Sequence, residues 1–144
     1  MNHDVRDVLA ITRAEPAHQA YLVLWVTFMV APLLFGIDKF AGVLTGNWEG
    51  YLATWVNDII PGSASDAMLA VGVVEIALFL LVAAAPRIGG YVLAVWFAAI
   101  IVNLVSTGEY YDIALRDFGL LVGALALALL AATYHGKEIP PRTP

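Results

Sequence analysis

The 144-residue sequence contains no cysteine, and this absence excludes several kinds of membrane chemistry. Disulfide exchange, cysteine-ligated iron–sulfur clusters and cysteine-linked lipid anchors all require a thiol. Charged residues are also scarce, at 13% of the chain, about half the share in a typical soluble domain. The formal net charge is −5 and no basic cluster occurs, so we expect no nucleic-acid partner. The three histidines are not clustered, so we expect no metal site.

Apolar residues, by contrast, are abundant and are grouped into long runs. They make up 61% of the chain and give a mean hydropathy of +0.82, which is typical of an integral membrane protein. A membrane-spanning helix needs about 20 mainly apolar residues, and four runs approach or exceed that length. We therefore predict a single all-α membrane domain, a bundle of four transmembrane helices over residues 20–40, 65–86, 89–106 and 112–134.

The connector between the first two spans carries its large apolar residues at the spacing of one helical face. They are Trp48, Tyr51, Leu52, Trp55, Val56 and Ile59. This stripe predicts a short amphipathic helix over residues 47–60, lying in the membrane interface with its aromatic rings at headgroup level. A capping-box pattern at Ser63 and Asp66 is expected to begin the second span. Pro86 is expected to end that span.

The basic residues predict the orientation of the bundle. Four spans place five of the seven on the same side of the membrane: Arg6, Arg13, Arg87, Lys137 and Arg142. The positive-inside rule then predicts a cytoplasmic leader over residues 1–19 and a cytoplasmic tail over residues 135–144. The connector between the first two spans would face the opposite side.

Six polar residues of the spans are candidates for a buried site, and all of them are predicted in the half of the bundle nearer the connector: Asp38, Lys39, Glu75, Asn103, Arg116 and Asp117. Glu75 is the deepest, about 15 Å beyond Ser65 at 1.5 Å per residue. A charge at that depth costs at least about 2–3 kcal/mol and almost always faces a partner inside the bundle. We therefore predict that Lys39, Glu75, Arg116 and Asp117 form one connected buried cluster, which is also a candidate ligand-binding site.

Small residues on the same helix faces suggest how this cluster is packed. Arg116 shares a face with Gly119 and Gly123, a spacing that lets helices approach closely, so Arg116 is expected to point towards other helices. Gly72 lies one turn before Glu75 and is expected to leave room for an incoming side chain.

The same motifs resemble the DoxX-like family over roughly residues 20–134. They are a Gly-x-x-Lys-Phe ending on span one, a glutamate in span two and an Arg-Asp pair opening span four: Gly36, Lys39, Phe40, Glu75, Arg116 and Asp117. The wider superfamily includes the DoxD subunit of thiosulfate:quinone oxidoreductase and the methylamine-utilisation protein MauE. The resemblance implies a four-helix protein of a bacterial or archaeal-type cell membrane. It also implies a partner role beside redox enzymes, with access to quinone. We expect no covalently bound cofactor.

Several functions remain open at this point. The protein could be an accessory subunit of a redox or respiratory complex, with a protein partner or as a homo-oligomer. It could instead bind a quinone or a lipid as a quinone-linked oxidoreductase subunit, or be a small proton-linked transporter. Because the sequence offers no redox centre of its own, we do not expect catalysis by this chain alone. The polar residues could also serve only to hold the helices in register.

A filled bundle would favour a purely structural subunit, whereas a hollow one would favour ligand binding. We expect the polar cluster to close a pocket that residues 48–59 cover and that opens towards the outer leaflet. Between Glu75 and the cytoplasmic side, spans two to four carry only apolar residues, glycine and alanine. A transport path through the bundle is therefore not expected.

Overall fold

The computed structural model describes residues 5, 6 and 15–138. The predictions for residues 1–4, 7–14 and 139–144, in the leader and the tail, lie outside the described residues. Within the described part, four helices are long and apolar enough to span a bilayer: α1 (Pro16–Ala41), α3 (Ala64–Ala84), α4 (Pro86–Thr107) and α5 (Tyr111–Tyr134). The predicted fold class, an all-α four-span membrane protein with a short helix between spans one and two, is confirmed.

The boundary between α3 and α4 differs from the prediction. Pro86 is the first residue of α4 rather than the last of the preceding span, and only Ala85 separates the two helices. Proline fits the first turn of a helix, where its missing N–H is not needed. Its ring also disfavours helical geometry in the residue before it, and Ala85 accordingly has φ −142° and ψ 73°. The turn is therefore one residue long.

The start of α3 agrees with the predicted capping box. The backbone N–H of Asp66 donates to Ser63 Oγ at 3.2 Å, and the Ser63 N–H donates to Asp66 Oδ2 at 2.9 Å. These reciprocal bonds satisfy two backbone donors that the helix itself leaves unpaired.

The connector is not the continuous helix predicted over residues 47–60. It forms a 3₁₀ turn (Trp48–Tyr51) and a separate short helix, α2 (Thr54–Ile59). The break is held by Asn103 of α4, whose Oδ1 accepts from the Ala53 N–H at 2.8 Å and whose Nδ2 donates to the Tyr51 carbonyl at 2.6 Å. A side chain from another helix thus replaces the intrahelical bonds that would have continued the first turn.

The bundle consists of two closely packed helix pairs, α1 with α3 and α4 with α5. The pairs meet through a filled core in the half of the bundle that contains the start of α1 and the end of α5, here called the terminal half. The residues of this core are Tyr21, Phe28, Leu78, Val82, Leu93, Ala94, Ala124, Leu127 and Ala131. At its edge the Tyr21 hydroxyl and His135 Nδ1 share a hydrogen bond of 3.0 Å. The opposite half, here called the connector half, has a different interior.

Two glycines set the close crossing of α1 and α3. A Cβ built on Gly36 would lie 2.9 Å from the carbonyl oxygen of Gly72, and a Cβ on Gly72 would lie 3.0 Å from the carbonyl oxygen of Gly36. The space beside Gly72 is taken by the Gly36 carbonyl and by side-chain atoms of Phe40 and Lys39, so the expected room for an incoming side chain is occupied from α1. This close approach brings Lys39 of α1 beside α3, since a Cβ on Gly72 would also lie 3.1 Å from Lys39 Cβ.

The predicted Gly119–Gly123 face of α5 packs against another helix only at Gly123. A Cβ on Gly123 would meet the ring of Phe28 at 2.9 Å, whereas a Cβ on Gly119 would meet nothing within 4 Å. Gly119 therefore does not mediate a helix contact, and the predicted Gly119–Gly123 packing face is wrong at that position.

Gly36, at the crossing of α1 and α3, and Gly119, which has no neighbour within 4 Å, give a matched test of this packing. We expect Gly36→Ala to lower the free energy of unfolding by about 1–3 kcal/mol, because the added methyl must push two backbones apart. Gly119→Ala is the control, and it should leave stability unchanged or raise it by up to about 1 kcal/mol through better helix propensity. Unfolding in mixed detergent and SDS, followed by circular dichroism, measures both. Equal stability of the two variants would contradict the crossing.

Candidate functional site

The connector half of the bundle contains a half-open cavity of about 530 Å³. All four long helices contribute to its walls, and the connector covers it from residue 44 to residue 60. The lining is mainly apolar, with aromatic rings from the connector, α1 and α4: Phe35, Trp48, Tyr51, Trp55, Trp96 and Phe97. A volume of this size and an apolar wall with few polar groups are typical of small-molecule sites.

A buried ion pair lies on one wall of the cavity. Lys39 Nζ donates to Glu75 Oε2 at 2.7 Å, and the two side chains are only 4% and 9% exposed. The pair joins α1 to α3 at the glycine crossing described above. Glu75 therefore has a cationic partner inside the bundle, as expected from its depth in the second span. That partner is Lys39 of α1.

Trp48 of the connector extends this ion pair into a longer chain of contacts. The Lys39 ammonium lies 4.0 Å from the centre of the Trp48 ring, in cation–π geometry. The indole Nε1 of Trp48 donates in turn to Asp38 Oδ2 at 2.9 Å. The sequence pattern placed Trp48 among residues at headgroup level, and it gave no sign that the ring covers Lys39.

Asp38 is part of this series of contacts, but its role is structural. Its carboxylate accepts hydrogen bonds from the backbone N–H groups of Val43, Leu44 and Thr45, at 2.7, 2.8 and 3.3 Å. It does not line the cavity. Asp38 thus fixes the start of the connector, and Asn103 fixes its middle. Both residues stabilise the segment that covers the cavity.

Arg116 and Asp117 form a second ion pair on the cavity wall. Arg116 Nε and Nη2 donate to Asp117 Oδ1 at 3.1 and 3.0 Å. The Asp117 side chain is 5% exposed and that of Arg116 is 59% exposed. The prediction that Arg116 points towards other helices is therefore wrong.

The two ion pairs share the cavity, but no hydrogen bond or ion pair among the described residues joins them. The predicted single network of Lys39, Glu75, Arg116 and Asp117 is therefore corrected to two separate pairs. The physical reason is that Arg116 and Asp117 are consecutive on α5, about 100° apart around the helix axis. Asp117 faces inwards while Arg116 reaches back to it from the exposed side.

Trp96 of α4 is a further site residue, which the sequence pattern did not single out. Its indole lies beside the Glu75 carboxylate on the cavity wall. Its buried Nε1 meets the Glu75 carboxylate, in a contact that falls outside strict hydrogen-bond geometry. The signal available in the sequence was a tryptophan within a span, since a buried indole N–H usually has an acceptor.

Comparison with known proteins found no match among protein-family models, curated proteins or solved structures. The class of the protein therefore follows from its fold and its cavity. It is a four-span integral membrane protein with one half of the bundle filled and the other half hollow.

Proposed function

We propose that the protein is a small accessory subunit of a membrane redox complex, and that it binds the ring of a quinone in the connector-half cavity. The observation that supports this proposal is the cavity itself. A subunit with a purely structural role would be expected to have a filled bundle, and the terminal half is filled whereas the connector half is not. Membership of the DoxX-like family is part of the proposal.

The wall chemistry supports a ring-shaped, membrane-soluble ligand. Aromatic side chains can stack on a flat ring, while a few polar groups at fixed positions orient it. The aromatic lining and the two ion pairs supply both elements. An apolar tail would leave the cavity through the seam between the α1–α3 pair and the α4–α5 pair.

A transport function has less support. Beyond Glu75 the interior of the bundle is occupied by the packed core of the terminal half, including Val82, Ala124 and Leu127, each with no exposed surface. A closed-ended cavity suits a binding subunit better than a path across the membrane. We further propose a bacterial or archaeal-type cell membrane, cytoplasmic termini and a cavity in the outer leaflet.

Two valine substitutions on α3 test ligand binding. Val71 lines the cavity, so Val71→Phe should fill part of it, whereas Val73 is 58% exposed and Val73→Phe is the matched control. Protein purified in mild detergent is extracted with organic solvent, and quinones are quantified by mass spectrometry. We expect V71F to carry about tenfold less quinone than wild type, a loss of about 1.4 kcal/mol of binding free energy. V73F should match wild type.

Absence of quinone from the wild type, or equal amounts in both variants, would contradict quinone binding in this cavity. The proposed redox partner is tested separately, by mass spectrometry of the proteins that copurify with the tagged wild type. Recovery of redox-enzyme subunits in stoichiometric amounts supports it. Recovery of this chain alone would contradict the redox partner.

A further inference from the structure

We infer that the connector-half cavity also binds a protonated lipophilic amine, with its ammonium group on Asp117 Oδ2 and its apolar body against the aromatic wall. This inference goes beyond the quinone proposal, because it assigns a second class of ligand to the cavity and depends on the charges of its wall. The ligand is an organic cation with one nitrogen that bears N–H groups and an apolar body that fits within about 530 Å³.

Asp117 presents a free hydrogen-bond acceptor to the cavity. The residue is only 3% exposed and lines the cavity wall. Its Oδ1 accepts both bonds from Arg116, whereas its Oδ2 accepts from no described donor. Unlike the Trp96 indole nitrogen, Oδ2 is not enclosed by protein atoms, so it keeps a surface that a ligand can reach. An unpaired carboxylate oxygen in an apolar wall is costly, so a ligand that donates to it gains binding free energy.

The charges around the cavity are unevenly placed. Two buried carboxylates, those of Glu75 and Asp117, line the wall and lie close enough to repel each other. Only one cation is enclosed with them, since the Lys39 side chain is 4% exposed whereas that of Arg116 is 59% exposed. An exposed charge is screened far more than an enclosed one, so the enclosed part of the wall carries a net negative charge. A monovalent cation in the cavity would balance this charge, and an anion would be repelled.

The same wall already holds one ammonium group between a carboxylate and an aromatic ring. The Lys39 ammonium lies 2.7 Å from Glu75 Oε2 and 4.0 Å from the centre of the Trp48 ring. Asp117 is the second carboxylate of the cavity, and no described ammonium group pairs with it. The aromatic lining continues beyond Trp48 with Tyr51, Trp55, Trp96 and Phe97. A ligand ammonium at Asp117 would therefore repeat the combination of an ion pair with cation–π contacts.

The other carboxylates near the cavity are engaged within the protein. Glu75 bonds Lys39 and contacts the Trp96 indole N–H. Asp38 accepts from three connector N–H groups and does not line the cavity. Of these three carboxylates, Asp117 is thus the one with an oxygen left for a ligand.

Three probes with the same apolar body test the inference on the full chain: phenylbutylamine, phenylbutanol and phenylbutyrate. At neutral pH they are a cation, a neutral hydrogen-bond donor and an anion. Binding is measured by calorimetry on the protein in lipid nanodiscs, with empty nanodiscs as the blank. We expect the amine to bind about tenfold more tightly than the alcohol, because its hydrogen bond is ionic and the aromatic rings attract a cation. The butyrate should bind more weakly than the alcohol.

Asp117→Asn extends the test to the protein, since it removes the charge and keeps the size of the side chain. This variant should bind the amine about tenfold more weakly than wild type does, and the alcohol nearly as well. Asp112→Asn is the matched control, because Asp112 is an exposed acid on the same helix and does not line the cavity. Arg116→Gln should act in the opposite direction and tighten amine binding about threefold, because it removes a competing cation from Asp117.

The possible results separate this inference from the proposed function. If wild type binds the amine no more tightly than the alcohol or the butyrate, the inference is overturned, whatever the quinone analysis shows. Unchanged amine binding by a folded D117N protein overturns the assignment to Asp117. Amine binding by a protein that carries no quinone supports the inference and contradicts quinone binding. The wild-type series decides even if D117N does not fold.

Discussion

Replacing Lys39 by methionine is expected to lower the free energy of unfolding by about 3–5 kcal/mol, because it leaves the Glu75 carboxylate buried without its cation. The Lys39 Nζ–Glu75 Oε2 distance is 2.7 Å, and both side chains are less than a tenth exposed. Methionine retains most of the aliphatic length of lysine, so the change tests the charge more than the packing. Unfolding in mixed detergent and SDS at neutral pH measures the loss.

The double variant Lys39→Met with Glu75→Gln is the control for this effect. Removing both members of a buried pair is often nearly neutral, since no uncompensated charge remains. We therefore expect the double variant to lie within about 1 kcal/mol of wild type and to be clearly more stable than K39M alone. A K39M protein as stable as the double variant would show that Glu75 does not depend on Lys39.

The main elements of the fold could be predicted because their signals are local. Four apolar runs indicate four spans, and the Ser63–Asp66 pattern locates the start of α3. Pro86 was misassigned because proline is compatible with both ends of a helix, and only the one-residue turn at Ala85 decides between them. The break in the connector was not predictable, since it depends on Asn103, about fifty residues further along the chain.

The position of the site could be predicted from the sequence, but which of its charged residues form ion pairs could not. The depth of each polar residue along its helix follows from sequence number, so the connector half could be identified as the polar half. Which residues meet depends on the rotation and separation of the helices, and here the contact of Gly36 with Gly72 places Lys39, not Arg116, beside Glu75. Trp96 was missed because tryptophan within a span is equally compatible with ordinary packing.

Trp48 shows why an amphipathic pattern does not specify what its apolar face contacts. The pattern predicted an aromatic ring at the membrane interface, whereas the ring lies over the Lys39 ammonium and the indole N–H bonds Asp38. It also packs edge-to-face against Phe35, with ring centres 6.2 Å apart. A single connector side chain thus joins the roof of the cavity to the buried ion pair.

Trp48→Ala is accordingly expected to lower the free energy of unfolding by about 3 kcal/mol, at the lower end of the range for removing a packed tryptophan, because Trp48 is only half-buried. Trp48→Phe should cost about 1 kcal/mol, since it keeps a ring over Lys39 and loses only the hydrogen bond to Asp38. Hydrogen exchange should rise across residues 43–60 in W48A, because the start of the connector loses its contact with the ion pair.

Trp55→Ala is the matched control for this last prediction, because Trp55 also lies in the cavity roof but is 47% exposed and makes no described hydrogen bond. It should cost less than W48A and leave exchange near Asp38 unchanged. If W48A and W55A were equally stable and exchanged alike, the connector would be held by Asp38 and Asn103 alone. A larger effect of W48A means that the roof and the Lys39–Glu75 pair are stabilised together, so a ligand that contacts Glu75 would also act on the connector above it.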